Sequence, residues 1–120
     1  MTITEMQDQA WAIAEQKGFH EDRTNDGRDD TLVRLCLIHS EVTEAVQLVK
    51  KHWAPDALCV TSEGSLLDQF GAELADILIR VGDLAGCVGV DLERHVREKM
   101  EKNKVREYLY GTPHAKGSGQ

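Results

Sequence analysis

The stretch "LIHSEVTEAVQ", residues 37–47, carries apolar side chains at helical spacing and sets Glu41 and Glu44 three positions apart among them. Residues three apart on an α-helix share a face, with Cβ atoms about 5–6 Å apart. One face must therefore display both carboxylates. Further along, "GAELADILIRV", residues 71–81, repeats the arrangement with Glu73 and Asp76. The ordinary home of such a pair is a solvated face, and two features argue against it here. Both pairs sit in the most apolar helical segments of the chain, and neither has a good basic neighbour. Leu48 follows Glu44 at the favourable four-residue offset and Ile77 follows Glu73; Arg80, four residues after Asp76, is the exception.

Outward from these two segments the chain reads as helices. Thr2 or Thr4 can cap a first one, carrying Met6, Ala10, Trp11, Ile13 and Ala14 and stopping near Gly18. "GFHEDRTNDGRDD" is a loop by its Asp, Asn and Gly content. Asp30 or Thr31 opens the second helix, which runs to about Lys51, ahead of Pro55. Ser65 caps a third that continues to about Ala85, where "GCVGV" is expected to break it. Asp91 caps a fourth, mostly polar helix ending at Gly111, and "TPHAKGSGQ" is a frayed tail. These signals predict an all-α four-helix bundle over residues 1–111, with residues 112–120 as a C-terminal tail.

Composition narrows the function. A chain of 120 residues is one domain, and 41% hydrophobic residues suffice for a buried core. Lys and Arg number 14 against 21 Asp and Glu, a net charge of −7 that disfavours nucleic acid and anionic membrane as partners. No apolar run reaches the ~18 residues of a membrane span, and the acidic N-terminus has no apolar signal region. Cys36, Cys59 and Cys87 form no Cys-x-x-Cys pair. Cys36 and Cys87 read as core thiols, and a reducing cytoplasm is the expected compartment.

If the second and third helices pack antiparallel, Glu41, Glu44, Glu73 and Asp76 converge. Two unit charges 4 Å apart at an effective dielectric of ~20 interact by about 4 kcal/mol, so such a cluster calls for raised pKa values or a cation. All-oxygen ligands favour Mg²⁺, or Mn²⁺, over zinc. A di-iron carboxylate centre would want Glu-x-x-His motifs, and the chain has none. On the fourth helix Lys99, Asn103 and Arg106 fall on one stripe suited to phosphate, whereas Lys102 and Lys104 lie off it.

With these residues in view, the chain resembles the MazG-like, all-α nucleoside triphosphate pyrophosphohydrolases. Their hallmark is Glu-x-x-Glu, a spacer, then Glu-x-x-Asp, matched here by "EVTE" and "ELAD". "LIHSEVTEA", "ELADILIRVGDLA" and "EKMEKNKVREYLYG" look like the small single-domain phage and bacterial branch, over about Gly18 to Gly111. The resemblance implies Mg²⁺-dependent cleavage of a nucleoside triphosphate between the α and β phosphates, giving a nucleoside monophosphate and pyrophosphate. It implies catalytic metal ligands at Glu41, Glu44, Glu73 and Asp76, and phosphate contacts at Lys99, Asn103 and Arg106. Base-stacking candidates are Phe19, His20 and Trp53; Trp11 reads as core, Asp83 as an outer-shell or surface group, and His39 as structural or surface. A pyrimidine-directed enzyme acting on dUTP or dCTP and a noncatalytic metal-binding helical module stay open as alternatives. Ile77, Leu78, Ile79 and Val81 point in nearly every direction, and Gly82 and Gly86 permit close helix approach. A homodimer is therefore expected, and the resemblance leaves a dimer of dimers open.

Overall fold

In a computed structural model, which describes residues 1–21, 27–60 and 62–106, every regular element is helical. The helices are α1 (Ile3–Gln16), α2 (Gly27–His52), α3 (Leu66–Val88) and α4 (Leu92–Val105), with a short 3-10 turn at Ala57–Cys59. Their starts are written locally. Thr2 Oγ1 accepts a bond from the Glu5 N–H (3.0 Å) and Glu5 Oε1 accepts one from the Thr2 N–H (2.9 Å). This reciprocal cap satisfies two otherwise orphaned donors and holds the Glu5 carboxyl below the usual range. Ser65 Oγ and Asp91 Oδ1 cap α3 and α4 without the reciprocal bond, accepting from the Asp68 and Arg94 N–H groups. α2 begins at Gly27, before the expected Asp30 or Thr31, which puts Asp29 and Asp30 in its first turn against the positive end of the helix dipole.

α3 departs from expectation at its other end. It runs through Gly82 and Gly86 to Val88 and stops at Gly89, whose left-handed φ of 77° suits glycine. The two internal glycines are a packing surface. A Cβ on Gly86 would lie 2.9 Å from Cβ and Cδ1 of Trp11, and one on Gly82 would lie 2.8 Å from Met6 Sδ. Their close approach is thus used within the chain, by α1, where a contact with a second copy had been expected.

α3 is the central helix, with α1 and α2 packed against it. Arg34 approaches Asp83 and Glu41 bonds Arg80, while Glu44 feels Glu73. As numbers rise along α2 they fall along α3, so the two are antiparallel. α4 packs on the start of α1: the Thr4 N–H donates to Glu93 Oε1 (3.1 Å), and Gln7 donates to the Val90 carbonyl (2.7 Å). α4 ends at Val105, and the continuation to Gly111 and the tail lie outside the described residues.

The buried apolar residues are mostly small: Ala10, Ala14, Ala45, Leu66 and Ala85. Among the described residues α2 packs chiefly on α3, which leaves much of its circumference exposed. Leu32, Leu35 and Val46 on α2 and Leu74 and Leu78 on α3 are each about half exposed. Cys36 is exposed for the same reason, contrary to its reading as a core thiol; Cys87 is half-buried. No helix among the described residues is long and apolar enough to cross a membrane.

Candidate metal centre and the cavities beside it

The antiparallel register of α2 and α3 brings Glu41, Glu73 and Asp76 together, each offering a carboxylate oxygen within 4.8 Å of the others. Glu73 Oε2 is buried and has no hydrogen-bond partner among the described residues. A buried carboxylate oxygen without a partner carries a desolvation cost, and a hard cation is the group that three converging carboxylates would relieve it with. The donor set fits Mg²⁺ or Mn²⁺ and lacks the nitrogen or sulfur that zinc prefers.

Arg80 sits at the edge of this cluster. Its Nε donates to Glu41 Oε1 at 2.7 Å, and the two side chains are 40% and 13% exposed. Arg80 was the apparent local partner of Asp76, but the hydrogen bond it makes crosses to the neighbouring helix. That bond, chiefly, holds the Glu41 carboxyl below the ordinary glutamate range. Glu44 is shifted the other way by the hydrogen bond it shares with Glu41 and by repulsion from Glu41, Glu73 and Asp76. Glu44 is exposed and lies outside the three that converge, so the four expected ligands divide into a triad and a rim carboxylate.

One cavity adjoins the centre and a second adjoins Arg80. One, of about 470 Å³, is lined on its polar side by Glu41, Asp76 and Arg80 and on its apolar side by Met6, Ile13 and Phe19. The other, of about 660 Å³, lies beside Phe19, Asp30, Arg34, Arg80 and Asp83. Phe19 is 61% exposed and borders both. Trp53 is exposed and borders neither. His20 is buried, with its ring nitrogens facing Glu15 and Asp83, so the ring is not open to a base. His39 is exposed, and Trp11 is half-buried against Gly86 and the His20 ring.

Lys99, Asn103 and Arg106 border neither cavity, because α4 packs on α1. Arg106 also lies beyond the last helical turn, with extended backbone (φ −72°, ψ 139°), so the expected stripe keeps its helical register only from Lys99 to Asn103. The cations that do border the cavities, Arg34 and Arg80, are ones the sequence reading gave no role at the site. Arg80 had a signal: it is the only basic residue in α3. Compared with known protein families, curated proteins and solved structures, the chain finds no match.

Proposed function

We propose that this chain is a Mg²⁺-dependent nucleotide pyrophosphohydrolase, cleaving a nucleoside triphosphate between its α and β phosphates to a nucleoside monophosphate and pyrophosphate. The observation that carries the reading is the convergence of Glu41, Glu73 and Asp76, with a buried Glu73 oxygen that has no partner among the described residues, beside a partly apolar cavity. The motif resemblance supplies the reaction.

Glu41, Glu73 and Asp76 would hold the ion, Mg²⁺ with Mn²⁺ as a substitute. When bound, it neutralises phosphate charge and makes water easier to deprotonate. Glu44, next to Glu41 yet outside the triad, is the carboxylate left to take a proton from the attacking water. Arg80 reaches both cavities, and its guanidinium suits phosphate oxygens once its bond to Glu41 is given up. Phe19 offers an apolar face for a base. Lys99, Asn103 and Arg106 keep their proposed phosphate role if a second subunit presents them to the site.

Association follows from the exposed apolar faces of α2 and α3, which single molecules seldom leave open over so many adjacent turns. We propose a homodimer burying these faces, which would complete a closed helical bundle; a dimer of dimers is its extension. Pyrophosphate release from a panel of nucleotides with Mg²⁺ tests the function. Turnover of several bases supports a broad nucleotide-clearing enzyme, and turnover of dUTP or dCTP alone a pyrimidine-directed one. No turnover of any, by a folded protein, overturns the enzyme and leaves a metal-binding helical module.

A further inference from the structure

A second constellation of metal-binding atoms lies apart from the acidic triad, where the turn after α1 meets the end of α3. His20 is 7% exposed and sits between two carboxylates. Its Nδ1 lies 2.5 Å from Glu15 Oε2, and its Nε2 lies 2.7 Å from Asp83 Oδ1. Cys87, one helical turn beyond Asp83, brings Sγ to 3.5 Å from the same Nε2 and 3.9 Å from the same Oδ1. The three atoms make a small triangle of nitrogen, oxygen and sulfur contributed by two elements.

We propose that His20 Nε2, Asp83 Oδ1 and Cys87 Sγ form a binding site for a single Zn²⁺-class ion, independent of the carboxylate centre. The dimensions fit. Zinc bonds of about 2.0–2.3 Å in a tetrahedron place neighbouring ligand atoms roughly 3.3–3.6 Å apart. The Sγ–Nε2 edge already fits; the longest edge, 3.9 Å, closes slightly, and the shortest, 2.7 Å, opens by roughly 0.6 Å or a little more as the shared proton leaves. The donor set also separates the two sites by chemistry. Imidazole and thiolate select zinc-like ions, and the all-oxygen triad selects magnesium-like ones.

The surroundings are those that orient a metal-bound histidine. Glu15 on Nδ1 holds the ring with Nε2 turned inward, the carboxylate–histidine arrangement found behind metal ligands. Arg34 Nη1 lies 3.8 Å from the other Asp83 oxygen, Oδ2, which leaves Oδ1 on the triangle. The Trp11 ring, 5.4 Å from the His20 ring between centroids, covers it with apolar surface. Asp83 also borders both cavities, which supplies a path for the ion and a place for a water as fourth ligand. Binding displaces the proton shared by Nε2 and Asp83 and the thiol proton of Cys87, so affinity rises with pH.

Co²⁺ is the probe, added to the full chain carrying Cys36→Ser and Cys59→Ser so that Cys87 is the one remaining thiol. The expected result is one Co²⁺ per chain with a thiolate-to-cobalt charge-transfer band, bleached by an equimolar amount of Zn²⁺. Cys87→Ser should abolish the band with helicity by circular dichroism unchanged, and Asp83→Asn should weaken Zn²⁺ binding at least tenfold. Glu15→Gln, which changes the ring's orienting partner, should weaken it roughly 10–100-fold. Glu73→Gln should leave the band intact, separating this site from the proposed hydrolytic one. A folded protein with no charge-transfer band, or a band that survives Cys87→Ser, would overturn the proposal.

Discussion

The two sides of α3 solve opposite packing problems. Toward α1 the helix presents Gly82 and Gly86, and the missing side chains let Met6 and Trp11 press against its backbone. Toward α2 it presents Glu73, Asp76 and Arg80, and charged side chains occupy the space between the helices. The first interface gains stability from close contact. The second sacrifices some, because like charges converge and one buried carboxylate oxygen lacks a partner among the described residues. The local cost is concentrated on the side of α3 that faces α2.

The largest effect should come from the charged side. Glu41→Gln and Glu73→Gln are each expected to abolish pyrophosphate release while helicity persists, since each removes a ligand charge and little volume. Their metal-free stabilities should diverge. Glu73→Gln relieves repulsion and should raise the melting temperature, whereas Glu41→Gln gives up the ionic bond to Arg80 and should not. Normal turnover by either variant at saturating Mg²⁺ would break the comparison at its root.

Next in size is assembly. The exposed Leu74 and Leu78 lie N-terminal to Gly82 and Gly86 on α3. Light scattering at micromolar concentration should give at least twice the 13.4 kDa of one chain. Leu78→Lys should shift it toward monomer; a fully active 13.4 kDa species would refute the dimer.

The glycine side gives smaller, signed effects. Gly86→Ala should destabilise by about 1–3 kcal/mol, because the rigid Trp11 cannot yield. Gly82→Ala should cost less, since the Met6 thioether is flexible. Gly71, on the same helix with open space around its missing Cβ, should respond oppositely: Ala there gains about 0.5–1 kcal/mol. Urea melts of the three variants test the order, and equal losses would mean that close approach to α1 is not what the glycines serve.

The smallest effect is in titration. By carbon-detected NMR of the metal-free protein, Glu41 should titrate below the ordinary glutamate value and Glu44 above it. The signs follow from linkage. Glu41 contributes stability at pH above the ordinary value, lost as pH falls through its lowered folded pKa. Glu44 costs stability once pH rises through the ordinary value, and the cost is complete above its raised pKa. Mg²⁺ should pull the Glu44 midpoint back down; coincident midpoints for the pair would show that Arg80 does not divide them.

Much of this was legible in the residues. Thr2, Ser65 and Asp91 announce three helix starts because capping is a local exchange between a side chain and the next turn's N–H groups. The two carboxylate pairs were legible for a related reason: three-residue spacing fixes a shared face before any partner helix exists. What depended on which helix meets which was not. Gly86 looked like a helix breaker, because nothing nearby in sequence says that Trp11 will fill the space. Arg80 looked like a partner for Asp76 until antiparallel packing offered it Glu41 instead. His20 looked like a loop residue open to a base, yet Glu15, Asp83 and Cys87 enclose it, the last two more than sixty positions away. The α4 stripe was read on the assumption that α4 would face the carboxylates, and α4 packs on α1. Sequence by itself determined the helices, their caps and the paired acids, all set by contacts within about one helical turn. Only the tertiary structure decided which charges meet, because that depends on the pairing of helices, and long-range contacts leave no periodic trace in the chain.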